Sequence, residues 1–179
     1  MWFAEVKDKA KRKNQILFSK DSLLLADLCQ LITQANRRAL ILWALELAEE
    51  TARELAENNA EDHRPREAVA ASRAWAFGEI KMPIAKQAIL NCHAMAKGLA
   101  DPVDIARCHA VGQACSVVHT AGHALGYPMY ELTAMVLDLG LDDCRDPIEQ
   151  RVRYYEQRLR YWMEYEKNCQ QNWAGFLKK

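Results

Sequence analysis

The chain has 179 residues, half of them hydrophobic and 27% charged, with 7 Gly and 5 Pro, a balance that excludes disordered, collagen-like and low-complexity classes. Lys plus Arg and Asp plus Glu both number 24, so the chain lacks the basic field of a dedicated nucleic-acid binder. A single domain over residues 1–179 is expected, burying roughly 70% of its unfolded surface.

The first residues are basic (Lys7, Lys9, Lys11, Arg12, Lys13), but Ser19, Lys20 and Asp21 interrupt the apolar stretch behind them, and no secretory signal forms. The longest apolar run, Ala39 to Leu45, is far shorter than a membrane span. A cytoplasmic protein with no membrane partner is expected. The six cysteines are irregularly spaced with no CxxC, and reduced thiols suit that compartment.

Prolines and glycines divide the rest. Leu24, Leu28, Leu31 and Ala35 mark one helical stripe, and Leu40, Trp43, Leu47, Thr51 and Leu55 another, with a break expected near Gln34 to Asn36. Pro65, Pro83, Pro102, Pro128 and Pro147 each precede an apolar stripe of helical period, as residues of an opening turn. Gly78, Gly98, Gly126 and Gly140 are read as closing the preceding helices. Asp101 and Asp146 stand where N-caps are expected. These signals predict an all-α bundle of about seven mostly antiparallel helices. The central one is the long helix from Pro102 to Leu125, whose Gly112 and Gly122 suit close backbone approach.

Four features could carry chemistry. His119 and His123 are one turn apart and Cys115 precedes His119 by four, so a single helix would place three possible ligands on one face. A zinc protease needs Glu where Thr120 stands, and the competing reading is hydrogen bonding within the core, shared by His93 and His109. No metal, cofactor or catalytic residue is assigned. In Asp62-His63-Arg64-Pro65-Arg66-Glu67, two arginines flank a helix start that disfavours cations, so either acids of the fold or an external anion must meet them.

Glu46, Glu49, Glu50, Glu54, Glu57, Glu61 and Asp62, against Arg53 alone, form an acidic ridge: a solvated helix face, or a surface that steers a partner. In the last helix Ile148, Val152, Tyr155, Leu159 and Trp162 make a core stripe. Tyr154, Arg158, Tyr161 and Tyr165 make a second one, suited to core extension, a homodimer or a partner.

Asp62-His63-Arg64-Pro65-Arg66-Glu67-Ala68, followed by Ser72-Arg73-Ala74-Trp75-Ala76 and Gly78-Glu79, resembles the signature of the Imm-five-like immunity proteins of bacterial polymorphic toxin systems. The likeness extends from about residue 40 to 136, through Trp43-Ala44, Ala106-Arg107, Ala110 to Ala114, His119 and His123. His63 stands where the family commonly has an acid, and residues 1–34 and 145–179 lie outside the likeness as helical extensions.

The resemblance implies an all-α, non-catalytic protein that binds a cognate toxin and occludes it. It also implies scaffold roles for Asp62, Arg64, Pro65, Arg66, Glu67, Trp75, Gly78, Glu79, His119 and His123. The acidic ridge with the Asp62-to-Arg66 turn is the expected binding face. The alternatives are a metal- or anion-binding enzyme built on His119 and His123, and a structural homodimer.

Overall fold

In the computed structural model, which describes residues 1–178, the chain forms eight α-helices and, among the described residues, no strand. They are α1 (Trp2–Lys11), α2 (Ala26–Gln34), α3 (Arg37–Asn58), α4 (Arg64–Ala76), α5 (Met82–Met95), α6 (Pro102–Ser116), α7 (Gly126–Leu139) and α8 (Arg145–Tyr165). Lys179, the end of the C-terminal extension, lies outside the described residues. The most apolar stretch of the sequence becomes an axis: from Ala39 to Ala52 of α3, only Glu46, Glu49 and Glu50 escape full burial. α6 is the second axis, packing against α3, α4, α5 and α7, while α8 crosses α2, α3 and α7. Burial of apolar area along these seams is the main stabilising term.

Local signals explain most helix ends. Asn36 caps α3 by accepting from the Ala39 amide at 2.9 Å, which produces the expected break after Gln34. Asp101 caps α6 by accepting from the Val103 amide at 3.0 Å. All five prolines lie in the first turn of a helix. Gly78 and Gly140, at φ +75° and +79°, supply left-handed turns after α4 and α7.

Five expectations are corrected. A helix, α1, precedes the seven foreseen; its mixed composition hides it, and it is held through buried Val6 and a Trp2 indole N–H donated to Glu149 at 3.1 Å. Gly126 opens α7 instead of closing a helix, and sits so close to Gln113 that a Cβ there would lie 2.4 Å from the amide oxygen. Gly98 ends a 3₁₀ turn without positive φ. Asp146 lies inside the first turn of α8, whose N-cap is Cys144.

The long central helix stops at Ser116, and Ala121–His123 form a separate 3₁₀ turn. Breaking there lets Val117 and Val118 both enter the core, and the Arg37 guanidinium donates to the freed carbonyls of Val118 and His119 at 3.0 and 2.8 Å. A Cβ at Gly122 would therefore meet only the Thr120 methyl, at an ordinary 3.8 Å, whereas Gly112 allows the His93 ring to lie directly on α6.

After α8 the chain turns back and covers the end of α4. The Ala174 amide donates to the Ala76 carbonyl at 2.8 Å, Trp173 and Leu177 are buried, and the Arg38 guanidinium donates to the Leu177 carbonyl at 2.7 Å.

Candidate functional site

α3 carries Glu46, Glu49, Glu50, Glu54 and Glu57, and the turn behind it Glu61 and Asp62. At 100° per residue these side chains fan round the helix and meet different neighbours. Arg158 of α8 grips both Glu46 oxygens at 2.7 and 3.0 Å, with the Trp162 indole donating at 2.8 Å. Glu50 accepts from Arg151 at 3.0 Å and from the Tyr154 hydroxyl at 2.5 Å. Glu49 pairs with Arg73 of α4 at 3.0 Å, and Glu54 with Arg107 of α6 at 3.3 Å. Five of the seven acids, counting Asp62, are thus in ion pairs within the protein, and Glu57 and Glu61 remain exposed.

Behind Glu50 lies a buried polar cluster that the sequence did not announce. Arg151 also binds Glu131 of α7 at 3.1 Å and the Tyr127 hydroxyl at 3.2 Å, and the Tyr155 hydroxyl donates to Glu131. Tyr127 shares a 2.8 Å hydrogen bond with Thr51. Burial, aided by the Glu131 charge, raises the pKa of Tyr127 and Tyr155 well above the phenol range, and burial with the Glu50 hydrogen bond pushes Tyr154 to about 12. These groups spend their hydrogen-bonding capacity on one another, so the cluster fixes the register of α8 on α3 and α7. It also consumes Tyr154 and Arg158 of the second C-terminal stripe. Tyr161 and Tyr165 stay exposed, their rings tilted against each other with centres 4.9 Å apart.

The turn before α4 resolves half of its charge puzzle internally. Asp62 receives the Arg64 guanidinium in contacts of 2.5 to 3.1 Å, which lowers its carboxyl pKa. Arg66 points instead to a cleft of about 460 Å³ between α3 and α4, whose rim also bears Arg53, Arg73, Glu49 and Glu79. Glu67 is exposed, Pro65 is buried, and Trp75 is buried to 7% exposure at the far side of α4.

Because α6 ends at Ser116, Cys115, His119 and His123 share no helix face. Cys115 is fully buried, and burial pushes its thiol to about 12. His119 stacks on Trp75 with ring centres 5.9 Å apart, and His123 hydrogen-bonds the Gln113 side chain at 2.8 Å. His93 and His109 bond each other through their Nδ1 atoms at 3.0 Å, joining α5 to α6. Among the described residues no group of three His, Cys, Asp or Glu side chains could hold a metal ion, and no helix is long and apolar enough to cross a membrane.

Three of these histidines do converge on a second cleft, of about 250 Å³, between α4, α5 and the turn after α6; Trp75, Lys86, Leu90, His93, His119 and His123 line it. Sequence reasoning passed over this face, although a signal was present: the fourteen residues of α5 hold one permanent charge, Lys86, yet Met82, Ile84 and Leu90 are 40 to 60% exposed. Charge depletion with exposed apolar side chains on a surface helix marks interaction surfaces.

Searches of curated proteins and of solved structures return no match. A family model does match, over residues 30–158, spanning α3 to α7 whole together with most of α2 and of α8. That covers most of the chain and reaches past both ends of the likeness read from the sequence, and the chain belongs to the family described as Imm-5 like putative immunity protein.

Proposed function

We propose that this protein binds a cognate toxin protein and neutralises it by occlusion, without catalysis of its own. The observation that carries the reading is the family match across residues 30–158. The interior is consistent with it. Four of the six cysteines are buried, all six are unbridged, and the polar cluster round Arg151 is saturated by its own members. Binding by a rigid body needs only surface complementarity and a few anchors.

The charged edge of α3 and the turn before α4 is the first surface to examine. Glu57 and Glu61 are exposed there, and Arg66 faces the α3–α4 cleft beside the Glu49–Arg73 pair. Glu46, Glu50, Glu54 and Asp62 hold the fold through their ion pairs and contribute to this edge mainly through its field.

The test is co-expression with the product of the adjacent reading frame. The reading expects that product to arrest growth alone and the full-length chain to restore growth and co-purify with it at a fixed ratio. Growth arrest that persists with the chain present and folded overturns the reading. Glu57→Lys with Glu61→Lys, which disturb no ion pair, then ask whether this edge is the contact.

A further inference from the structure

The α5 face has the build of an anchor site. Met82, Lys86, Leu90 and His93 recur along one side of the helix and form one wall of the 250 Å³ cleft; Trp75 and His119, stacked on each other, form the opposite wall. Its volume lies below the roughly 300 to 1,000 Å³ of sites that engulf a whole drug-sized ligand. It matches a single protruding side chain, the way interface hot spots seat in pockets. None of the lining residues is acidic, and Lys86 is the one with a permanent positive charge. Burial, with His109 and His123 nearby, lowers the basicity of His93, which favours its uncharged ring beside an occupant.

We infer that this pocket receives one large apolar side chain of the toxin, flanked by a carboxylate that meets Lys86. The inference rests on the toxin-binding reading for the identity of the partner, and on the pocket alone for the chemistry of what it accepts. The anchor would lie on the flank of α4 opposite to Arg66 and the α3–α4 cleft, so the two surfaces are separable by mutation.

The first arm uses indole-3-propionate on the full-length protein, followed by the NMR shifts of Trp75, His93, His119 and His123, with indole-3-propionamide as the uncharged counterpart. The acid should bind with one saturating site, the amide about threefold more weakly. Lys86→Glu should weaken the acid selectively, and Leu90→Asp should weaken both about tenfold. Leu90→Met and Lys86→Arg should preserve binding. Shifts scattered over the surface, or binding indifferent to both disruptive variants, overturn the inference. Should Leu90→Asp not fold, Lys86→Glu decides with the acid and amide pair.

The second arm titrates the adjacent-frame product. Loss of its binding in Lys86→Glu and Leu90→Asp supports the anchor, whatever Glu57→Lys does at the separate α3 edge. Full retention in both α5 variants overturns it while leaving the toxin-binding reading intact. If the wild-type chain fails to neutralise that product, the toxin-binding reading falls and the first arm still judges the pocket. Light scattering closes the remaining route: a wild-type dimer that Leu90→Asp makes monomeric would assign the pocket to a second copy of this chain and overturn the inference.

Discussion

Two sides of the molecule solve the same packing problem with opposite chemistry. Where α8 crosses α3 and α7, Glu46, Glu50 and Glu131 are met by Arg158, Arg151, the Trp162 indole and the hydroxyls of Tyr154 and Tyr155, a network with no exposed residue among its carboxylates. On the α5 side the helix meets its neighbours through Ala85, Ile89, Cys92 and Met95, supplemented by a histidine pair, and leaves apolar side chains in solvent. Desolvated charge is unforgiving of a lost partner, so the first side specifies one arrangement of helices. Apolar contact is tolerant of what it touches, which suits the second side to receiving another molecule.

Mutations can break that contrast. The largest effect should come from Arg151→Met, which strands Glu131 in the core: a loss of about 3–5 kcal/mol in chemical denaturation is expected, and a loss below about 1 kcal/mol would show that the network carries little of the fold's stability. Gly112→Ala probes the other side. Its methyl would fall 2.3 Å from the His93 ring, so the ring must shift and its bond to His109 be disturbed, at a cost of about 1–3 kcal/mol.

The histidine pair sharpens the contrast through pH. Burial lowers the pKa of both His93 and His109 below the ordinary imidazole value of about 6.5. As pH falls, the unfolded chain takes up protons first, so stability drops on acidification through that range. Denaturation midpoints measured from pH 8 to 5 should show this decline, and replacing both histidines with Gln should flatten it. The smallest effect belongs to Glu57→Lys, where an exposed side chain with no partner in the fold should shift stability by no more than about 0.5 kcal/mol.

Much of the architecture was legible beforehand, for local reasons. Proline and Asn or Asp at helix starts act within three or four residues of themselves, so Asn36, Pro65, Pro83 and Asp101 could be placed without knowing the fold. The failures were of a different kind. Nothing between Ser116 and Leu125 forbids a helix strongly enough to announce the break; it exists because Arg37, some eighty residues away, satisfies the carbonyls that the break exposes.

The acids of α3 read as one ridge because spacing shows only which face of a helix a residue occupies. Where Arg73, Arg107, Arg151 and Arg158 arrive to neutralise it depends on three other helices. The candidate site was legible only in part. The Asp62–Arg64 pair follows from adjacency, whereas the pocket over Trp75 joins residues from 75 to 123 that no periodicity connects.

By itself, then, the sequence determined that this chain is helical, where most of its helices start, and which stripes enter the core, because backbone hydrogen bonding and side-chain period are short-range properties. Its family, too, is written in the linear order of residues from 30 to 158. Only the tertiary structure decided which charges are spent inside and which remain for a partner, because ion pairing in space joins side chains up to 112 residues apart in the chain and is set by how whole helices cross.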